Sequence, residues 1–354
     1  MLANSWSIAL LICMAGSLFL VLLAASTALR ILLFWDADSD AERQVDLEGR
    51  VWLAAALVES ALGVQIFSLI LLVLAADAFS QMIAGAMCAT GSFLANSYGP
   101  TVLLLKLVGA FCSGFWLVLH RLDLRSEHFP LLRVKFCCVM LLLPLLVADG
   151  YYLFQYLTHL EPDIITSCCG VIFASDALRT NFFSIAMAPQ VLLPLFYLGS
   201  ALLMVGGIIL GRKVSIDGHP RSGYVMPNIA PNTTIVCIVI NGLLHLLFLI
   251  LALVAVTIFF SSYIYAMPYH NCPFDILKAE YNFIGFPIYF ALFGASFLAI
   301  SSAVVAPFHA RPGLAVAMQK YQSVALKIAA ILLLLFVVLV TYPYIRYVIA
   351  GGEI

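Results

Sequence analysis

The chain has 354 residues, of which 64% are hydrophobic and only 10% are charged, and its formal net charge at pH 7 is -1. Soluble globular proteins are about half apolar and about a quarter charged, so this composition excludes a water-soluble enzyme of ordinary composition and a disordered chain. The balanced charge also excludes a nucleic-acid binder, which needs an excess of basic residues. A polytopic membrane protein in contact with the lipid bilayer remains.

Eight segments of the sequence are long and apolar enough to cross a membrane. A helix needs about 20 apolar residues to cross about 30 Å of hydrocarbon, and the alternating pattern of a transmembrane barrel is absent from the sequence. The predicted spans are 7–34, 51–76, 101–120, 134–157, 190–211, 234–264, 287–307 and 323–348. We therefore predict an all-α transmembrane helical bundle that forms a single integral membrane domain over residues 1–354.

Basic residues are concentrated in alternate connections between the predicted spans. The connection after the third span contains Arg121, Arg125, Arg133 and Lys135, whereas residues 77–100 contain no Arg or Lys. Connections rich in Arg and Lys stay in the cytoplasm, so the first, third, fifth and seventh connections are predicted to be cytoplasmic. Both termini then face outward, and we expect a multi-pass protein of the bacterial inner membrane.

Two of the predicted outward connections share a faint pattern. Cys88 is followed by an Asn-to-Pro segment at 96–100, and Cys272 is followed by a similar segment at 282–287. They lie four spans apart and share an orientation, as a parallel 4+4 duplication would require. Because Gly and Pro are common in membrane helices, chance explains this pattern as well as duplication does.

The nine cysteines fall into two groups. Five lie in predicted spans, where a cysteine packs as a small hydrophobic residue: Cys13, Cys112, Cys137, Cys138 and Cys237. The other four all lie in predicted outward connections: Cys88, Cys168, Cys169 and Cys272. An outward face in the bacterial periplasm is oxidising, so disulfides form and persist there.

Three interpretations of the outward cysteines remain open. They form structural disulfides between connections, or they are redox-active thiols that exchange electrons with a protein partner or a membrane quinone. In the third interpretation Cys168, Cys169 and Cys272 bind copper or zinc together with His270 or His159.

The surroundings of Cys272 favour reactivity. Pro273 suits the first turn of a helix, which predicts a short helix with Cys272 at its N-cap. Free amides and the helix dipole at that position stabilise a thiolate. A protonated His270 would have the same effect, whereas Asp275 would oppose the thiolate or accept the thiol proton.

The segment Cys272-Pro273-Phe274-Asp275 resembles the Cys-Pro-x-Cys motif of thioredoxin-like proteins. By analogy it is similar to the thiols of membrane thiol–quinone oxidoreductases of the disulfide-bond B and vitamin K epoxide reductase kinds. The second cysteine of the motif is Asp275 in this chain, so a resolving thiol has to come from another connection, most simply Cys168 or Cys169.

Several ionisable residues lie inside predicted spans, where such groups are costly and default to functional candidates. Glu59 and His245 are predicted to serve a proton relay or to line a quinone pocket. Lys106 matches Asp77 and Asp149 in depth, which predicts an intramembrane ion pair with one of them. For each of these groups, a purely structural role in packing is the alternative.

The leading functional hypothesis is thiol–disulfide or electron transfer at the outward face, with quinone as a possible cofactor. In this hypothesis Cys272 is the reactive thiol, Cys168 and Cys169 resolve it, and Cys88 has a structural or shuttling role. The partners would be a periplasmic redox protein or other membrane subunits. Two alternatives remain open: a non-catalytic membrane subunit or scaffold with structural disulfides, and a secondary transporter of a small solute or metal.

Overall fold

The computed structural model describes residues 2–35, 42–86, 88–126, 129–163, 188–217, 232–267, 270–311 and 313–351. Two of the residues predicted to form the functional site, Cys168 and Cys169, lie outside these ranges. The predicted resolving and metal-binding roles of this pair therefore stay predictions.

Ten α-helices, eight of them long and apolar enough to cross a membrane, make up most of the described chain. They are α1 Ser5–Phe34, α2 Glu42–Ser80, α3 Ala89–Leu94, α4 Tyr98–Asp123, α5 Leu132–Thr158, α6 Pro189–Asp217, α7 Asn232–Ala255, α8 Ser261–Tyr265, α9 Gly285–Val305 and α10 Ala315–Ile349. A π-helical turn, Val256–Phe260, joins α7 to α8 within one span. The predicted all-α polytopic architecture is confirmed.

The largest boundary difference from the sequence prediction is at α2, which begins at Glu42 rather than at residue 51. The added turns are rich in charged residues, and Arg50 pairs with Asp46 at 3.0 Å one turn earlier on the same helix. Both side chains are exposed. The polar end of this helix continues beyond the hydrocarbon. A prediction based on apolar residues alone therefore starts the helix too late.

The chain divides into two compact units, Met1–Ser167 (unit 1) and Cys168–Ile354 (unit 2), each of which contains four of the spanning helices. In unit 1, α1 packs against α2 and α5, and α4 packs against the same two helices. In unit 2, α6 packs against α7 and α10, and α9 packs against the same two helices. Both units are therefore four-helix bundles in which each span neighbours the next and the fourth neighbours the first.

The third span of each unit begins with a glycine that lies against a backbone carbonyl of the preceding connection. A Cβ atom on Gly99 would lie 2.0 Å from the carbonyl oxygen of Phe93, and one on Gly285 would lie 2.8 Å from that of Ile276. Real Cβ atoms do not approach so closely. The connection thus folds back onto the helix start in both units.

The third and fourth spans of each unit are also tied together by a buried side-chain pair. In unit 1, Lys135 Nζ lies 2.7 Å from Asp123 Oδ2. In unit 2, a His309 ring nitrogen, Nε2, lies 2.6 Å from Gln322 Oε1. These pairs, the glycines and the shared helix order support our proposal that the two units arose by a 4+4 duplication.

Candidate functional site

Cys272 lies in the connection between α8 and α9, and its side chain is buried. The backbone N–H of Phe274 donates a hydrogen bond to Cys272 Sγ at 3.4 Å, and the Tyr265 hydroxyl donates to the Cys272 carbonyl oxygen. The short helix predicted to begin at Pro273 is a 3-10 turn at Asp275–Leu277. The sulfur therefore accepts the Phe274 amide beside a 3-10 turn rather than lying at the end of an α-helix.

Asp275 connects the two basic residues that flank this cysteine. His270 Nε2 lies 2.8 Å from Asp275 Oδ2, and Lys278 Nζ lies 2.8 Å from Asp275 Oδ1. The carboxylate is buried, and one of its oxygens lies within 4.8 Å of Cys272 Sγ. Both His270 and Asp275 were predicted to influence the sulfur, and the structure joins the two directly to each other.

Tyrosine side chains hold this connection in place. The Tyr265 ring lies 4.6 Å from the rings of both His270 and Tyr281, measured between centroids. Tyr289 Oη donates to the Pro273 carbonyl oxygen at 2.5 Å. Burial, followed by the charge of Asp275, raises the pKa of Tyr281. That hydroxyl consequently stays protonated at neutral pH.

Cys88 lies in unit 1, where it is the buried N-cap residue of α3. Its side chain makes no capping hydrogen bond with that helix. The structure has no disulfide bond between described residues. The predicted structural or shuttling role of Cys88, and the pairing of Cys272 with Cys168 or Cys169, stay predictions.

A second polar cluster lies in the interior of unit 1. Lys106 Nζ lies 2.7 Å from Asp149 Oδ2, and both side chains are almost completely inaccessible to solvent. Lys106 also donates to Ser68 Oγ at 3.0 Å and to Gln65 Oε1 at 3.4 Å. Gln65 Nε2 donates to Asp149 Oδ2 at 2.6 Å. With Met14 Sδ 3.8 Å from Lys106 Nζ, the cluster draws on all four spans of the unit.

Of the two partners predicted for Lys106, the structure places Asp149 beside it. The second candidate, Asp77, lies nearer the C-terminal end of α2, and its carbonyl oxygen accepts a hydrogen bond from Ser80. Sequence reasoning missed Gln65 and Ser68. Their three-residue spacing on one face of an otherwise apolar helix is the signal that would have found them.

Glu59 lies at the predicted inner end of unit 1, within a network of charged side chains. It pairs with Arg121 and lies 3.9 Å from His120 Nε2. His120 is buried, stacks on Trp116 with 5.0 Å between ring centroids, and lies 3.5 Å from Lys135 Nζ. Glu59 is thus a partly exposed member of an ionic network, in which its predicted proton-relay role stays a proposal.

His245 lies in the interior of unit 2, on α7. Its Nδ1 atom lies 2.9 Å from the Asn241 carbonyl oxygen one turn earlier, whereas Nε2 has no hydrogen-bond partner among the described residues. About 20 residues separate His245 from Tyr265, which corresponds to roughly 30 Å of helix. A quinone ring held by His245 therefore cannot touch the thiol of Cys272.

No family model, curated protein or solved structure matches this chain. The functional conclusion therefore depends on the chain's own chemistry. That chemistry consists of a buried thiol beside an Asp–His–Lys cluster in unit 2 and a buried ion pair in unit 1.

Proposed function

We propose that this multi-pass membrane protein carries out thiol–disulfide exchange at its outward face, with Cys272 as the buried redox thiol. The observation that carries the proposal is the setting of its sulfur, which accepts the Phe274 amide and lies within 4.8 Å of the Asp275 carboxylate. The amide stabilises a thiolate and the carboxylate is a proton acceptor. His270 and Lys278 orient that carboxylate.

The burial of Cys272 defines its part in the exchange. A redox protein cannot reach a sulfur with no exposed surface, so an outer thiol has to exchange with the partner first. We assign this resolving role to Cys168 or Cys169. Oxidation of Cys272 and that cysteine to a disulfide releases two electrons and two protons, which a membrane quinone accepts to become a quinol.

Coupling to quinone requires that a quinone ring binds near the predicted outer end of unit 2. His245 lies too deep in the membrane to hold a ring that contacts Cys272. The aromatic side chains of Tyr265, Tyr281 and Tyr289 surround the Cys272 connection. We propose that they border the position at which a quinone would accept electrons. His245 and Glu59 would then have no direct part in the electron transfer.

The proposal is tested by the redox state of Cys272 in the purified full-length protein. After reduction, a soluble quinone is added, the protein is denatured in acid, and the remaining thiols are alkylated and identified by mass spectrometry. We expect Cys272 to be protected together with Cys168 or Cys169, and one quinol to form per disulfide. Cys272→Ser should abolish quinol formation.

Cys237→Ser is the matched control, because Cys237 is exposed on α7 away from the site. It should leave quinol formation unchanged. A Cys272 that stays alkylatable after quinone addition would contradict the proposal and favour a scaffold with structural disulfides. Zinc or copper that copurifies stoichiometrically and is lost in His270→Ala would favour the metal site instead.

A secondary transporter is the second candidate, favoured by the buried Lys106–Asp149 pair, since charges inside a membrane bundle often mark solute or proton pathways. Such transporters use broken helices at mid-membrane, but α5 and α6 continue through Pro144 and Pro194. Solute uptake that survives replacement of all nine cysteines would favour transport over thiol exchange.

A further inference from the structure

Two buried polar atoms in unit 1 have no hydrogen-bond partner within the described ranges. They are the Ser113 hydroxyl oxygen and Asp149 Oδ1. Both residues are buried, at 0% and 1% exposure. An unpaired buried polar atom costs about 1–3 kcal/mol, so such atoms commonly mark internal water or an ion. Neither atom belongs to the thiol site.

The Ser113 hydroxyl lies on a polar face of α4, and Asp149 on α5 pairs with Lys106 of the same face. Lys106, Ser113 and His120 follow each other on α4 at intervals of seven residues, which keeps them on the same side of the helix. All three are buried. Each interval corresponds to about 10.5 Å of helix. At the predicted inner end, His120 adjoins the partly exposed Glu59, so the polar face reaches an accessible carboxylate.

Small residues line the stretch between Ser113 and Asp149. Gly109 lies on α4 one turn from Ser113, and a Cβ atom there would have Gln65 Nε2 as its nearest neighbour, at 3.6 Å. Ala61 lies on α2 one turn from Gln65 and is completely buried. An internal water needs both polar partners and space, and these two residues place the least bulk between the polar groups.

We propose that unit 1 holds internal water along this face, hydrogen-bonded to the Ser113 hydroxyl and to Asp149 Oδ1, and that this water continues the polar route from Glu59 to the buried ion pair. The groups around the ion pair are Met14 from α1 and Gln65 and Ser68 from α2.

Met14 provides a built-in reporter for this water, because its sulfur lies 3.8 Å from Lys106 Nζ. X-ray radiolysis of the full-length protein in ¹⁸O-labelled water oxidises methionines that adjoin bound water. We expect Met14 to acquire label although its exposed fraction is only 4%. Met318, which is completely buried in unit 2, is the control and should stay unlabelled. Equal labelling of the two would overturn the proposal.

A substitution at Ser113 tests whether the internal water follows the polar face past this residue. Ser113→Val fills the space beside the unpaired hydroxyl with methyl groups and should abolish Met14 labelling. Ser80→Val is the matched control in the same unit, since that hydroxyl already donates to the Asp77 carbonyl oxygen at 2.7 Å. It should leave labelling unchanged. Persistent labelling in Ser113→Val would overturn a route past this residue.

The labelling measurements are independent of thiol oxidation, so their outcome is separate from that of the proposed function.

Discussion

At the scale of single residues, the two candidate sites differ in what holds their charges. Asp275 lies at the predicted outer end of unit 2, with His270 and Lys278 partly exposed around it. Both side chains of the Lys106–Asp149 pair are almost completely inaccessible to solvent. A buried ion pair is therefore stable only while both partners and their hydrogen bonds are present, which makes unit 1 the more sensitive unit to single substitutions.

Removing one partner of the unit 1 pair should be worse than removing both. We expect Lys106→Met or Asp149→Leu alone to lower the free energy of unfolding by about 3–5 kcal/mol, because each leaves a buried charge unpaired. The double variant should recover much of that loss. Thermal unfolding of the detergent-solubilised protein measures this, and a double variant as unstable as the sum of the singles would contradict it.

A single methyl group on Gly99 should also be destabilising. Gly99→Ala places a Cβ atom 2.0 Å from the Phe93 carbonyl oxygen, so the connection before α4 has to shift. We expect a loss of about 1–3 kcal/mol, as for overpacked cores, seen as a lower unfolding temperature. Gly63→Ala is the control: nothing lies within 4 Å of its Cβ position, and better helix propensity should leave stability equal or slightly higher.

At the scale of helices, the length of each apolar segment predicts that a spanning helix exists and where it falls along the chain. Packing between the helices decides their local geometry. The eight spans could be read from the sequence because hydrocarbon thickness imposes a length on each. The π-helical turn Val256–Phe260 could not, because such turns depend on interhelical contacts rather than on composition. The adjacent glycines Gly206 and Gly207 do not break a helix, because α6 continues through both.

Glycines of α6 instead bring this helix close to α10. A Cβ atom on Gly207 would lie 3.3 Å from the Leu326 carbonyl oxygen, and one on Gly211 would lie 3.1 Å from that of Ser323. Ser323 Oγ donates to the Gly211 carbonyl oxygen at 2.8 Å. The four-residue spacing of the glycines is the small-xxx-small pattern of close membrane helix pairs.

Gly211→Leu should therefore separate α6 from α10. The larger side chain forces the two backbones apart and breaks the Ser323 hydrogen bond, so we expect a clearly lower unfolding temperature in detergent. Gly16→Leu on α1 is the control, since no atom lies within 4 Å of its Cβ position. Equal effects of the two substitutions would show that α6–α10 packing is not sensitive at Gly211.

At the scale of the whole molecule, the sequence predicted the number of spans and offered two partners for Lys106, but it could not assign the chemistry. Lys106 and Asp149 matched in depth because both lie a similar distance from a span end. The carboxylate and the amide near Cys272 are local in sequence, since Asp275 lies three residues away and Phe274 two. The Tyr289 hydroxyl that binds the Pro273 carbonyl oxygen comes from α9 and depends on tertiary placement. Spacing within a segment is visible in sequence, whereas contact between segments is not.

The remaining whole-molecule prediction is sidedness, on which outward thiol exchange depends. The native cysteines Cys88 and Cys272 are buried, so an impermeant maleimide would miss them on either side of the membrane. New cysteines at exposed positions of two connections avoid this difficulty: Glu161→Cys for the predicted outer side and Leu124→Cys for the predicted inner side. In intact cells the maleimide should label the Glu161→Cys variant, and it should label Leu124→Cys only after permeabilisation. The reverse pattern would place the Cys272 connection in the reducing cytoplasm, where stable disulfides are rare, and thiol oxidation by a periplasmic partner would then be impossible.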